Sequence, residues 1–112
     1  MIVEYVQEGS AVDYVPGADV AAGAVVVQED LVGVAGREIK AGQLGALSVT
    51  GVYEFPKATG VGSAIPAGAK LYWDVAEAVA KTDSEAGANK YLGKSVKAAA
   101  DADAVVRARL SQ

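Results

Sequence analysis

Apolar and polar residues alternate along several short stretches, at the two-residue period of half-buried strands. Near the end of the chain, Val106, Ala108 and Leu110 alternate with Val105, Arg107 and Arg109. This spacing predicts a strand with a core face and a charged, solvated face. Leu71, Trp73 and Val75 alternate in the same way with Lys70, Tyr72 and Asp74. Leu47, Val49, Tyr53 and Phe55 share one face of a longer run, with Gly51 between them. Ser48, Thr50 and Glu54 take the other face, with Val52 as the exception. Pro56 is expected to end that run, because it has no N–H to give to a ladder. Three successive valines mark a strand within Ala24 to Glu29, and Leu31 to Ala35 marks the next.

Between these runs one pattern occurs three times: a branched aliphatic, a variable residue, then Ala-Gly. The copies are Val20-Ala21-Ala22-Gly23, Ile39-Lys40-Ala41-Gly42 and Ile65-Pro66-Ala67-Gly68. A turn whose third position needs positive φ explains Gly23, Gly42 and Gly68, since glycine alone adopts it without strain. Pro66 pre-sets the preceding turn position. The spacing is irregular, so the pattern is a recurring turn and not a solenoid repeat. Two Ala-rich stretches have helical propensity but are short. Val75 to Ala80 is read as a continuing strand or hairpin arm. Lys97 to Ala104 is read as holding one short helical turn. Lys57 to Ser63 is read as a Gly-rich loop.

Composition sharpens this into an all-β reading with few or no short helices. The 112 residues suit one domain, residues 1–112, with one core. The 52% of hydrophobic residues is mostly Ala and Val, so a few aromatics must anchor the core. Phe55 and Trp73, on the apolar faces of their strands, are the expected anchors. Tyr72 faces the other way and is the surface candidate. The formal charge of −4 excludes the electrostatic footprint of a nucleic-acid binder. No segment approaches the roughly 20 apolar residues of a membrane-spanning helix. The start, Met1-Ile2-Val3-Glu4-Tyr5, carries neither the basic nor the long apolar part of a signal peptide.

The chain has no Cys and no His. Thiolate chemistry, disulfides and the commonest general base and metal ligand are therefore excluded. A Ser-His nucleophile cannot be assembled. A Ser-Lys pair is formally open, but Lys94 and Ser95 are adjacent only in sequence. The stretch from Gly87 to Gly93-Lys94-Ser95 resembles a phosphate-binding loop, yet five residues separate its glycines where four are needed. The carboxylate pairs Glu29-Asp30, Asp83/Glu85 and Asp101/Asp103 lack the spacing of a calcium loop and read as solvated turns. No cofactor, metal or catalytic residue is expected. Tyr53, Phe55, Tyr72 and Trp73 offer a sugar-stacking platform as a competing idea, but core packing accounts for most of them.

In order, the chain carries Gly33-Val34-Ala35, Ile39-Lys40-Ala41-Gly42, Gly51-Val52-Tyr53-Glu54-Phe55-Pro56-Lys57, Ala67-Gly68 and Leu71-Tyr72-Trp73-Asp74. Before these come Val6-Gln7-Glu8-Gly9, Asp13-Tyr14 and Pro16; after them come Gly93 and an Arg-Leu ending. This order and spacing resembles the DUF2190 family of tailed-phage and prophage capsid decoration, or cement, proteins. The resemblance covers nearly the whole chain. It implies a small β-barrel or β-clip (β-tulip-like) fold that binds the outer surface of the phage head, its partner being the major capsid protein. It also implies a homo-oligomer, a trimer before a dimer, made in the host cytoplasm and ending in the virion. Residues 1–9 are expected to form an extended arm, with Ile2, Val3, Tyr5 and Tyr72 as oligomer or capsid contacts. The arm would add a strand to a capsid sheet by β-augmentation. The competing function is a non-catalytic β-clip module that binds a small ligand or carbohydrate.

Overall fold

The computed structural model describes residues 2–112. Nine strands build it: β1 (Ala11–Tyr14), β2 (Val25–Gln28), β3 (Leu31–Ala35), β4 (Gly45–Ser48), β5 (Gly51–Pro56), β6 (Lys70–Asp74), β7 (Val79–Lys81), β8 (Lys90–Ser95) and β9 (Val105–Leu110). They form two antiparallel sheets, in the orders β1-β4-β3-β2 and β5-β9-β8-β6-β7. Each sheet ends on two edge strands, so neither closes into a barrel. The all-β reading holds, with one 3-10 turn at Glu85–Gly87 as the helical content of the described residues.

The two sheets share one topology. β1, β2, β3 and β4 correspond in order and position to β5, β6, β8 and β9. The turns correspond as well. Val20 and Ile39 bridge each other through paired main-chain hydrogen bonds of 2.8 and 2.9 Å. Ile65 and Ala99 do the same at 2.9 and 2.8 Å. After each bridging residue comes a tight turn, closed by Ala24 N–H to Ala21, Gln43 to Lys40, Ala69 to Pro66 and Asp103 to Ala100. Gly23, Gly42 and Gly68 have φ of 82°, 77° and 84°. The fourth turn, at Ala100–Asp103, has neither the branched aliphatic nor the glycine. It replaces the short helical turn expected from Lys97 to Ala104. Ala99 pairs across to Ile65, and Asp103 Oδ2 accepts the Ala100 N–H at 2.8 Å. Val20 and Ile39 lie 19 residues apart, whereas Ile65 and Ala99 lie 34 apart. The 15 extra residues are 75–89, which carry β7 and the 3-10 turn between β6 and β8.

The cores follow from this arrangement. Val32 and Val34 of β3, with half-buried Val25 and Val27 of β2, pack against Phe55, Leu71, Trp73, Leu92, Val106, Ala108 and Leu110 of the second sheet. On the other side of the first sheet, Ala35, Ile39 and Leu47 form a smaller core with Val12, Tyr14, Val20 and Val26. In β9 the expected alternation is complete, with every second residue buried. The long run from Leu47 to Phe55 is not one strand. It breaks at Val49-Thr50, because Gly51 takes φ of 117° and turns the chain into the other sheet. Leu47 and Phe55 therefore sit in different cores. Val75 leaves β6 and lies exposed in the turn before β7. Hence residues 75–80 are a hairpin turn plus part of its return arm, in keeping with the hairpin-arm reading.

Candidate functional site

The outward face of the second sheet gathers the exposed groups with functional character. Directly opposed residues on antiparallel strands point to the same face. Lys70 opposes Lys94, Lys94 opposes Arg109, and Arg109 opposes Val52. All four are exposed. They form one row across β6, β8, β9 and β5. Two positions along, Arg107 opposes Glu54 and pairs with it at 3.3 Å. Next to them Val105 opposes Pro56, and both are exposed. Among the described residues, no ion pair involves Lys70, Lys94 or Arg109.

Tyr72 and Tyr91 extend the sheet surface. They oppose each other in the ladder, with rings edge to face at 5.8 Å, and both are half-buried. Beyond them Lys81 sits among three carboxylates. Its ammonium reaches Asp74 at 2.9 Å and Glu85 at 3.0 Å, and it also pairs with Glu77. Asp74, Glu77 and Glu85 are close enough together to hold a cation, and Lys81 already supplies one. Glu77, then Asp74 and Glu85, hold the Lys81 ammonium above its ordinary range. Lys81, aided by the Glu77 N–H, holds Asp74 well below the usual carboxylate range. The cage fastens the inserted hairpin to β6. At its far end Lys90 pairs with Asp30 at 2.8 Å, which raises the Lys90 ammonium and ties the second sheet to the β2–β3 tip.

The remaining candidates from the sequence are placed as follows. Phe55 and Trp73 are 2% and 6% exposed and touch at a ring separation of 6.1 Å. Asp101 and Asp103 spend their oxygens on the fourth turn and its neighbours, accepting from Ala64 and Ala100. Asp83 accepts from the Glu85 N–H. Gly93, Lys94 and Ser95 lie in β8, with backbone groups committed to the ladder and the turn after it, so no phosphate cradle forms there. Ile2, Val3 and Tyr5 are exposed in a segment, residues 2–9, that joins no strand; Met1 lies outside the described residues.

Two features were not visible in the sequence. The row of cations needs the register of three strands, which periodicity does not supply. Lys57 is buried, and its ammonium donates to the carbonyls of Ala58 and Asp103 at 2.8 and 2.9 Å. It pins the loop after β5 to the fourth turn. Four clefts among the described residues, lined by Lys57 and Ile65, by Ile39 and Leu44, by Val25 and Phe55, and by Glu54 and Arg107, do not include Tyr72.

A family model described as phage cement protein matches residues 6–110. The chain belongs to that family. No curated protein and no solved structure matches it. Cement proteins are structural components associated with the phage capsid, which places this chain among capsid-associated structural proteins. No helix among the described residues is long and apolar enough to cross a membrane.

Proposed function

We propose that this cement protein binds the outer surface of the phage head as a symmetric homo-oligomer, a trimer before a dimer, and stabilises the expanded head. The observation that carries this reading is the family match over nearly the whole chain. The fold supplies suitable material for it. Short strands packed two sheets deep give a stiff block, and the sheet face described above gives a contact surface. Each oligomer bridges neighbouring copies of the major capsid protein after expansion and adds contacts that resist internal pressure. Individual contacts can be modest, because many repeated copies act together. Closed symmetry gives each subunit an equivalent environment. The protein is made in the host cytoplasm and joins the head late in assembly.

Co-sedimentation with purified heads tests this directly. The protein should pellet with expanded heads and not with unexpanded procapsids, and decorated heads should retain DNA at a higher temperature than bare ones. Equal binding to both head forms, or binding without any gain in head stability, would sink the mechanism.

A further inference from the structure

We infer that the N-terminal segment of one copy lies across the outward face of the second sheet of a neighbouring copy. The inference rests on the homo-oligomer in the function proposed above, but not on the head as partner.

The receiving surface is the row Lys70-Lys94-Arg109. Like charges directly opposed in a sheet are destabilising, and here three stand side by side on adjacent strands. The chain has 14 acidic residues against 10 basic ones, so carboxylates to pair them are not scarce. Lys40, Lys81, Lys90 and Arg107 each have at least one; among the described residues Arg37, Lys57 and Lys97 have none either, but they do not stand side by side on adjacent strands. A row left without carboxylates on a rigid face is complementary to an acidic strip from elsewhere. Val52 continues the row and is 55% exposed. The strip must therefore carry apolar side chains as well as acids.

The segment Ile2-Val3-Glu4-Tyr5-Val6-Gln7-Glu8 has that composition. Ile2, Val3, Tyr5 and Val6 are 85–96% exposed, and Glu4 and Glu8 are exposed too. Such a concentration of bare apolar side chains marks an interaction site. In extended form Glu4, Val6 and Glu8 fall on one side, mixing acid and apolar groups in the way the row requires. Seven extended residues reach about 24 Å, enough to cross a five-stranded sheet about 19 Å wide. Within one copy no residue from Ile2 to Ser10 is buried, and the segment feeds β1 of the other sheet. When every copy donates one segment and receives one, the exchange closes into a ring.

The test is the mass of the full chain by light scattering across a concentration series. The paired reversal Lys94→Glu with Arg109→Glu should weaken association about tenfold or more. Glu4→Lys with Glu8→Lys should do the same, and the four changes together should restore it. The paired reversal makes the contact between positions 70 and 94 attractive and leaves that between 94 and 109 like-charged, so the row is no more repulsive than before and the monomer should keep its circular dichroism spectrum and urea midpoint. A monomeric wild-type chain at high concentration would overturn the inference, as would an oligomer indifferent to both reversals. If the reversals spare the oligomer but abolish pelleting with expanded heads, the row faces the head: the inference fails and the function stands. If the oligomer responds as expected but never binds heads, the function fails and the inference stands.

Discussion

The side-chain amide of Gln112 pairs with both main-chain groups of Val32, accepting its N–H and donating to its carbonyl, each at 2.6 Å. A single side chain thus mimics a strand. It occupies the part of β3 that β4 is too short to reach, since β4 pairs with β3 at Val34 and Ala35 only. It also links the end of the second sheet to the middle of the first. Gln112→Ala removes both bonds and leaves two main-chain groups of a buried residue to find water. The expected loss is about 1–2 kcal/mol, read as a lower urea midpoint with unchanged slope.

Ser95 and Ala35 occupy equivalent positions in the two halves, and only one carries a hydroxyl. Gly23 N–H bonds Ala35 and Gly68 N–H bonds Ser95 in matching fashion. In the second half, Ser95 Oγ also donates to Pro66 at 2.6 Å and accepts from Ala69 at 3.0 Å. The turn bond from Ala69 to Pro66 is correspondingly long, 3.4 Å against 3.1 Å from Ala24 to Ala21. Ser95→Ala should cost about 1 kcal/mol and let that turn tighten towards the Ala21–Ala24 geometry. A crystal structure of the variant checks the second point.

Gly33 and Gly93 are likewise equivalent, opposing Val26 and Leu71. A Cβ on Gly93 would lie 1.9 Å from the Arg109 carbonyl oxygen, which is main chain and cannot swing aside. Gly93→Ala should therefore cost about 3 kcal/mol or more, or prevent folding. Gly36→Ala, where a Cβ meets nothing within 4 Å, is the control and should change the melting temperature little.

The acid limb of the stability profile should carry the signature of Asp74. Its carboxyl titrates lower in the folded chain than in the unfolded one, chiefly because of Lys81. The stability it contributes is therefore present above about pH 4 and is lost as pH falls below that. Asp74→Asn should lower the melting temperature at pH 7 and flatten its fall between pH 5 and pH 2, in about the window set by an ordinary carboxylate. Parallel melting curves of the two proteins would show it. An unchanged acid slope would mean that Asp74 does not drive it.

Legibility tracked locality. β3 and β9 were readable residue by residue, because alternation or a dense valine run marks a strand without outside help. The change of sheet at Val49-Thr50 was not, since the period-two pattern continues through it while the partner changes. β1 also escaped notice: Asp13 and the nearby Pro16 break the apolar signal, and pairing to β4 supplies what the sequence lacks. The fourth turn was hidden because Ala99 stands where isoleucine or valine stands in the other three. The outward face of the second sheet was half readable. Tyr72 and the charged side of β9 show in the pattern, but the cation row exists only once Lys70, Lys94 and Arg109 are brought into register.

The 15-residue insertion has a counterpart in its absence. At the equivalent place in the first half, β2 and β3 are joined by Glu29 and Asp30 alone, and both are exposed. The second half shows that this architecture accommodates a whole extra hairpin there without altering the order of its strands. The Glu29–Asp30 tip is thus the natural graft point for peptide display. A foreign epitope of similar length set there would leave both cores intact.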